Sequence, residues 1–173
     1  MINMPEILVA NGTGAFLVLF LLLYRIRIAQ TNQLDEKIYN FMLIITFIAT
    51  ISETISFIID ARPGFIFQIL QYTSNTIASG ISGIIGYSWC LFVEYHIHRN
   101  FKRIKKKSKI LAIPLIIATI LIFINLFGTG IIFCISKKNE YTRGPINFIL
   151  YLFVFIYYIE SIYTVEKAKM ILF

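Results

Sequence analysis

The sequence predicts an all-α fold: an integral membrane bundle of five transmembrane helices, N-terminus outside and C-terminus in the cytoplasm. Three observations lead there. Of the 173 residues, 58% are hydrophobic and only 14% are charged, whereas soluble domains carry about a quarter charged residues. Five apolar runs reach the roughly 20 residues a helix needs to cross a hydrocarbon core of about 30 Å. The basic residues crowd into alternate connections between those runs, as the positive-inside bias requires.

Span one is placed at Ile7–Tyr24. No basic residue precedes its apolar stretch, so it is expected to stay in the mature protein and not to act as a secretory signal. Span two is placed at Ile38–Ile59, span three at Phe65–Val93, span four at Ile110–Phe133 and span five at Pro145–Val165, all within a single domain of residues 1–173. Span three, at about 29 residues or roughly 43 Å of helix, exceeds the bilayer core. Twelve of the 16 Lys and Arg fall on one side: Arg25, Arg27, Lys37, Lys167, Lys169 and a cluster of seven, Arg99, Lys102, Arg103, Lys105, Lys106, Lys107 and Lys109. Only Arg62, Lys137, Lys138 and Arg143 fall on the other. The cluster reads as a cytoplasmic loop lying against anionic headgroups. A net charge of +7 therefore implies a lipid partner and not nucleic acid.

The connection Asp60-Ala61-Arg62-Pro63-Gly64 is a sharp turn, because Pro fixes φ and Gly accepts φ > 0. Cys90 and Cys134 fall on opposite faces, too far apart for the roughly 7 Å Cα separation of a disulfide, so none is expected. His96-x-His98 points to two helix faces, and neither a metal site nor a cofactor is expected. No spacing assembles a nucleophile with a base, which argues against an enzyme.

Ionisable and amide side chains inside spans carry the functional signal. Glu53 lies within span two, and Asp60, seven residues on, projects from about the same face. Gln68, Gln71, Asn75, Ser79 and Ser82 form one polar stripe along span three, spaced 3, 4, 4 and 3. Ser79-x-x-x-Gly83 and Ser82-x-x-x-Gly86 are small-xxx-small pairs suited to close helix crossings. Two readings stay open: a polar cavity toward the outside above a tight crossing, or helix packing throughout. Glu160 is expected to snorkel to the inner interface and Asn125 to bond between helices mid-span. Asn11-Gly12-Thr13-Gly14 is expected to serve helix packing. Trp89, Tyr95, Tyr141, Tyr157, Tyr158 and Tyr163 read as interfacial anchors.

Three motifs carry a resemblance. Trp89-Cys90-Leu91-Phe92-Val93-Glu94-Tyr95-His96-Ile97 resembles a Trp-x-Leu-Tyr-x-Asp-Tyr-x-Ile pattern at the end of a span, with Phe92 and Glu94 in place of Tyr and Asp. Phe133-x-Ile135-x-x-x-Asn139-x-Tyr141-x-Arg143-Gly144 is similar to a second signature, with Ser136 where an acidic residue is expected. Glu53-x-x-Ser56-Phe57-x-x-Asp60-Ala61-Arg62-Pro63-Gly64 is similar to a third, and Asn75 fits the set. Together they resemble the N-terminal membrane sensor regions of bacterial GGDEF-domain diguanylate cyclases, over most of residues 7–165. The resemblance implies a sensory module in the bacterial cytoplasmic membrane, receiving a small ligand or peptide near its outer face. The candidates for that contact are Glu53, Asp60, Gln68, Gln71, Asn75, Tyr141 and Arg143. The sequence holds no Gly-Gly-Asp-Glu-Phe signature, so the expectation is an input region without its cyclase: a truncated relative, a gene fragment or a stand-alone module. A cytoplasmic signalling protein and a second copy of the chain are the protein partners to consider. The rival class is a small-molecule transporter or substrate-binding membrane subunit; a structural protein without a ligand is the third.

Overall fold

The structure is a computed structural model that describes residues 4–28 and 33–172. Five helices dominate it: α1 (Met4–Ile28), α2 (Leu34–Ile59), α3 (Phe65–His98), α4 (Phe101–Ile124) and α5 (Phe148–Leu172). All five are long and apolar enough to cross a membrane. Between α4 and α5 lie a wide turn over Asn125–Thr129 and a small antiparallel hairpin, β1 (Phe133–Ile135) with β2 (Tyr141–Arg143).

Helix α3 is the centre. It packs on α2, α5 and α4, while α1 packs chiefly on α2. Its 34 residues span about 51 Å, so it outruns a bilayer core at one or both ends. Two of its glycines set the crossings. A Cβ at Gly86 would lie 2.8 Å from the Tyr157 ring of α5, and one at Gly83 would lie 3.3 Å from Leu115 of α4. This is the small-residue contact that lets helix backbones approach closely. Exposed Phe16, Phe20, Ile113, Phe155 and Ile162 point away from the bundle, as side chains meant for lipid do. The buried apolar core is correspondingly small. One cluster joins Ala118, Ile122, Ile132, Phe133 and Leu150 beneath the hairpin; another joins Cys90, Leu111 and Tyr157.

The two ends of the bundle differ. At one end, the hairpin end, α2 turns into α3 through left-handed Ala61 (φ 58) and through Gly64 (φ 132), where a side chain would be strained. At the other, the basic end, α3 stops at left-handed Arg99 (φ 48) and α4 begins after Asn100. The Asn100 side chain accepts a hydrogen bond from the Arg103 N–H at 3.1 Å, an N-cap.

That two-residue reversal corrects the reading of the basic cluster as a loop: from Lys102 onward the cluster forms the first turns of α4. Span four is likewise shorter at its far end than the apolar run suggests. The run Ile110–Phe133 breaks at Asn125, because left-handed Gly128 (φ 76) and Gly130 (φ 68) turn the chain back. Asn125 sits at the end of α4 and not mid-span, and it does bond to a second helix, its Nδ2 reaching the Tyr72 hydroxyl of α3 at 3.5 Å. Its Oδ1 accepts from Ile132 N–H at 2.9 Å and its Nδ2 donates to Phe133 O at 3.1 Å, so it secures the returning strand. Its own carbonyl takes the Tyr72 hydroxyl of α3. Gly12 and Gly14 have no neighbour within 4 Å of a Cβ position, so they do not mediate the helix packing expected of them. Tyr157 is not an interfacial anchor: it is fully buried and its hydroxyl donates to Leu111 O at 2.8 Å. That bond falls beside Pro114, which cannot donate to the carbonyl one turn before it.

Candidate functional site: a polar cavity beneath the hairpin

Helices α2 and α5 both pack on α3, and at the hairpin end residues of α2, α3, β2 and α5 line a cavity of about 600 Å³. Six of the seven candidate residues line it: Glu53 and Asp60 from α2 and its cap, Gln71 and Asn75 from α3, and Tyr141 and Arg143 from β2. Heptad spacing brings Glu53 and Asp60 to one wall. Spacing of four brings Gln71, Asn75 and Ser79 to the floor. The hairpin carries Tyr141 and Arg143 over the same opening.

Asp60 is the joint between these parts. Its Oδ1 accepts from the Gln71 Nε2 at 3.2 Å and from the Tyr141 N–H at 3.0 Å. Next to it, Asn139 is fully buried with φ 64; its Nδ2 donates to Ile59 O at 2.7 Å, and its carbonyl accepts from Ala61 N–H at 2.9 Å. The hairpin is thus stitched to the α2–α3 turn on two sides. On the floor, Asn75 donates to the Ser56 hydroxyl at 2.8 Å and to Gln71 O at 2.8 Å. Burial pushes the Tyr141 phenol above its ordinary value, and the adjacent Arg143 guanidinium offsets part of that rise. The phenol therefore stays neutral and able to donate near pH 7.

Acceptor oxygens of Glu53 and Gln71 in this cavity lack partners among the described residues. Glu53 makes no hydrogen bond or ion pair, and Arg143 pairs with no carboxylate. Gln71 is 0% exposed, yet its Oε1 accepts no hydrogen bond. Buried polar atoms are nearly always satisfied, so the Gln71 Oε1 is an acceptor left for a further donor, while Glu53 and Arg143 are exposed at the cavity.

Gln68 is the candidate that falls outside. Its Nε2 donates to Lys137 O at 2.8 Å and to Ser136 O at 3.4 Å, so it clamps the hairpin loop from the next turn of α3. Of the residues assigned to packing, Gly83 and Gly86 do pack, whereas Ser79 and Ser82 line the cavity. The cavity also has Asn147, Leu150 and Tyr151 at the start of α5, which were missed because they sit just after the Gly144-Pro145 break. Ser56, quoted only as part of a motif, belongs here too.

The basic end holds a second constellation that sequence reasoning did not assemble. Glu94 of α3 is 1% exposed. It accepts from Arg103 and, at 2.7 Å, from Lys107 Nζ, both on α4. Lys107 also reaches Glu160 at 2.7 Å and the Thr164 hydroxyl at 2.8 Å on α5, so Glu160 is an ion-pair partner and does not simply snorkel. Asp35 at the start of α2 pairs with Arg99 at 2.8 Å and faces His96 at 3.2 Å. His98 faces Glu94 instead, at 3.8 Å. Arg99, Arg103 and Lys107 are therefore turned to carboxylates within the bundle, while Lys102, Lys105, Lys106 and Lys109 remain on the outside. Cys90 and Cys134 are both free thiols, the first buried and the second exposed.

Compared with known proteins, the chain matches no family model, no curated protein and no solved structure.

Proposed function

We propose that the chain is a membrane-embedded sensory module of a bacterial cytoplasmic membrane, with the hairpin end outside and the basic end in the cytoplasm. A small ligand enters the cavity between α2 and α5, and the resulting shift of those helices is read at the basic end. One observation carries this reading. The helices that wall the cavity, α2, α3 and α5, are the same helices whose opposite ends are tied by Asp35–Arg99 and by Lys107 bridging Glu94 to Glu160. A ligand that favours one spacing of α2 and α5 over another biases that network, which is the differential binding that signalling requires. The motifs that resemble diguanylate cyclase sensor regions fall on the two parts concerned: Glu53–Gly64 and Phe133–Gly144 around the cavity, Trp89–Ile97 around Glu94. The reading extends to an input region acting on a cyclase-like or separate cytoplasmic output.

The test needs no ligand. Ser79→Trp fills the cavity floor with a bulky ring. Spin labels at exposed Lys37 and Lys167, in a Cys134→Ser background reconstituted in nanodiscs, report the α2–α5 spacing at the basic end. The expected result is a displacement of about 2 Å between the filled and unfilled forms. Identical distance distributions remove the coupling, and with it the sensory reading.

A further inference from the structure

We propose that the cavity recognises a zwitterion: a compact group carrying an ammonium beside an oxyanion, as a free amino acid or an aminophospholipid headgroup does. This rests on the cavity being the receiving site of the sensory module.

The lining has two poles. The acceptor pole comprises Glu53, without a partner; Asp60, whose Oδ2 accepts no hydrogen bond; and Gln71, whose buried Oε1 is unpartnered. All three offer oxygen atoms to N–H donors, and two of them are carboxylates. The donor pole is Arg143 with the Tyr141 phenol beside it, on the strand that overhangs the same opening. A guanidinium fork binds carboxylate or phosphate oxygens in a bidentate way. An anion alone would face two carboxylates. A simple cation would leave Arg143 without a counter-charge, and a neutral ligand would leave all three charges unmatched. A zwitterion oriented with its ammonium to Glu53, Asp60 and Gln71 and its oxyanion to Arg143 satisfies both poles at once. The volume of about 600 Å³ suits a small molecule or a headgroup.

The two sources of this chemistry are separated by two arms. In nanodiscs of phosphatidylglycerol alone, the protein is titrated calorimetrically with the free α-amino acids and with ethanolamine phosphate. In the second arm the nanodiscs contain phosphatidylethanolamine, and native mass spectrometry counts the aminolipid retained. Binding in the first arm identifies a soluble zwitterion, and retention in the second identifies a lipid headgroup. In the arm that binds, Glu53→Gln and Arg143→Gln should each weaken the interaction at least about tenfold, with unchanged elution and melting. Analogues lacking either the amine or the oxyanion should lose as much. Ser79→Phe, which occupies the floor, should abolish binding and serves if either charge variant fails to fold. No zwitterion binding in either arm overturns the proposal, as does equal affinity for singly charged analogues or indifference to both charge substitutions. The outcome is separable from the coupling test above. Zwitterion binding with no change in the α2–α5 spacing keeps this inference and removes the sensory reading. A change in spacing with Ser79→Trp but no zwitterion binding does the reverse.

Discussion

Asp60 shows how much one side chain can organise at a helix end. It caps α2, holds Gln71 on α3 and receives the Tyr141 amide of the hairpin, so three chain segments meet on one carboxylate. Hydrogen bonds to a charged acceptor contribute about 1.5–3 kcal/mol each to stability. Asp60→Ala should therefore cost about 2 kcal/mol and free the hairpin from the turn. Hydrogen exchange checks this directly: the Tyr141 amide should exchange at least about tenfold faster while amides in the middle of α3 keep their protection. Unchanged exchange at Tyr141 would show that Asn139 and Gln68 hold the hairpin without it. The seven-residue interval from Glu53 to Asp60 made their common face legible in the sequence. Its partner Tyr141 was not legible, because that bond depends on where a segment 81 residues downstream returns, whereas Gln71 lies only 11 residues on, across the turn into α3.

At the scale of elements, glycines separate packing positions from bystanders. A Cβ at Gly144 would lie 2.3–2.4 Å from the carbonyls of Ile131 and Gly130, and backbone cannot yield as a side chain can. Gly86 meets the side chain of Tyr157, from its Cβ to the ring edge, and Gly80 meets nothing within 4 Å. Thermal unfolding in detergent should rank the alanine variants accordingly. Gly144→Ala loses the hairpin and most of the folded yield; Gly86→Ala costs about 1–3 kcal/mol by overpacking; Gly80→Ala is neutral or stabilising by up to about 1 kcal/mol. A Gly144→Ala variant as stable as Gly80→Ala would contradict the described return of the chain. The five helices were readable from hydropathy because a bilayer demands continuous apolar length. The hairpin was not: Ile131, Ile132 and Phe133 are apolar, and they extended span four past its true end. Their burial beneath the hairpin explains the composition, and Gly128 and Gly130 were the local signals that the helix had stopped.

Across the whole molecule, the polar groups divide between the two ends, with a glycine-mediated crossing between them. The acceptor-lined cavity was half visible as the stripe from Gln68 to Ser82, because a period near 3.6 puts such residues on one face. The basic end was visible only as net charge. Its acids, Asp35, Glu94 and Glu160, lie on three different helices, so no spacing along the chain joins them, and the lysines and arginines could be counted but not paired. The account stands on the claim that the polar cavity is reached from outside the cell while the basic end is not. Membrane-impermeant thiol labelling of intact bacterial cells tests this most directly, with single cysteines placed at Ser79, Arg143 or Lys106 in a Cys134→Ser background. The account predicts labelling at positions 79 and 143, with position 106 reacting only after the cells are permeabilised. Labelling of position 106 in intact cells, with positions 79 and 143 protected, would contradict it.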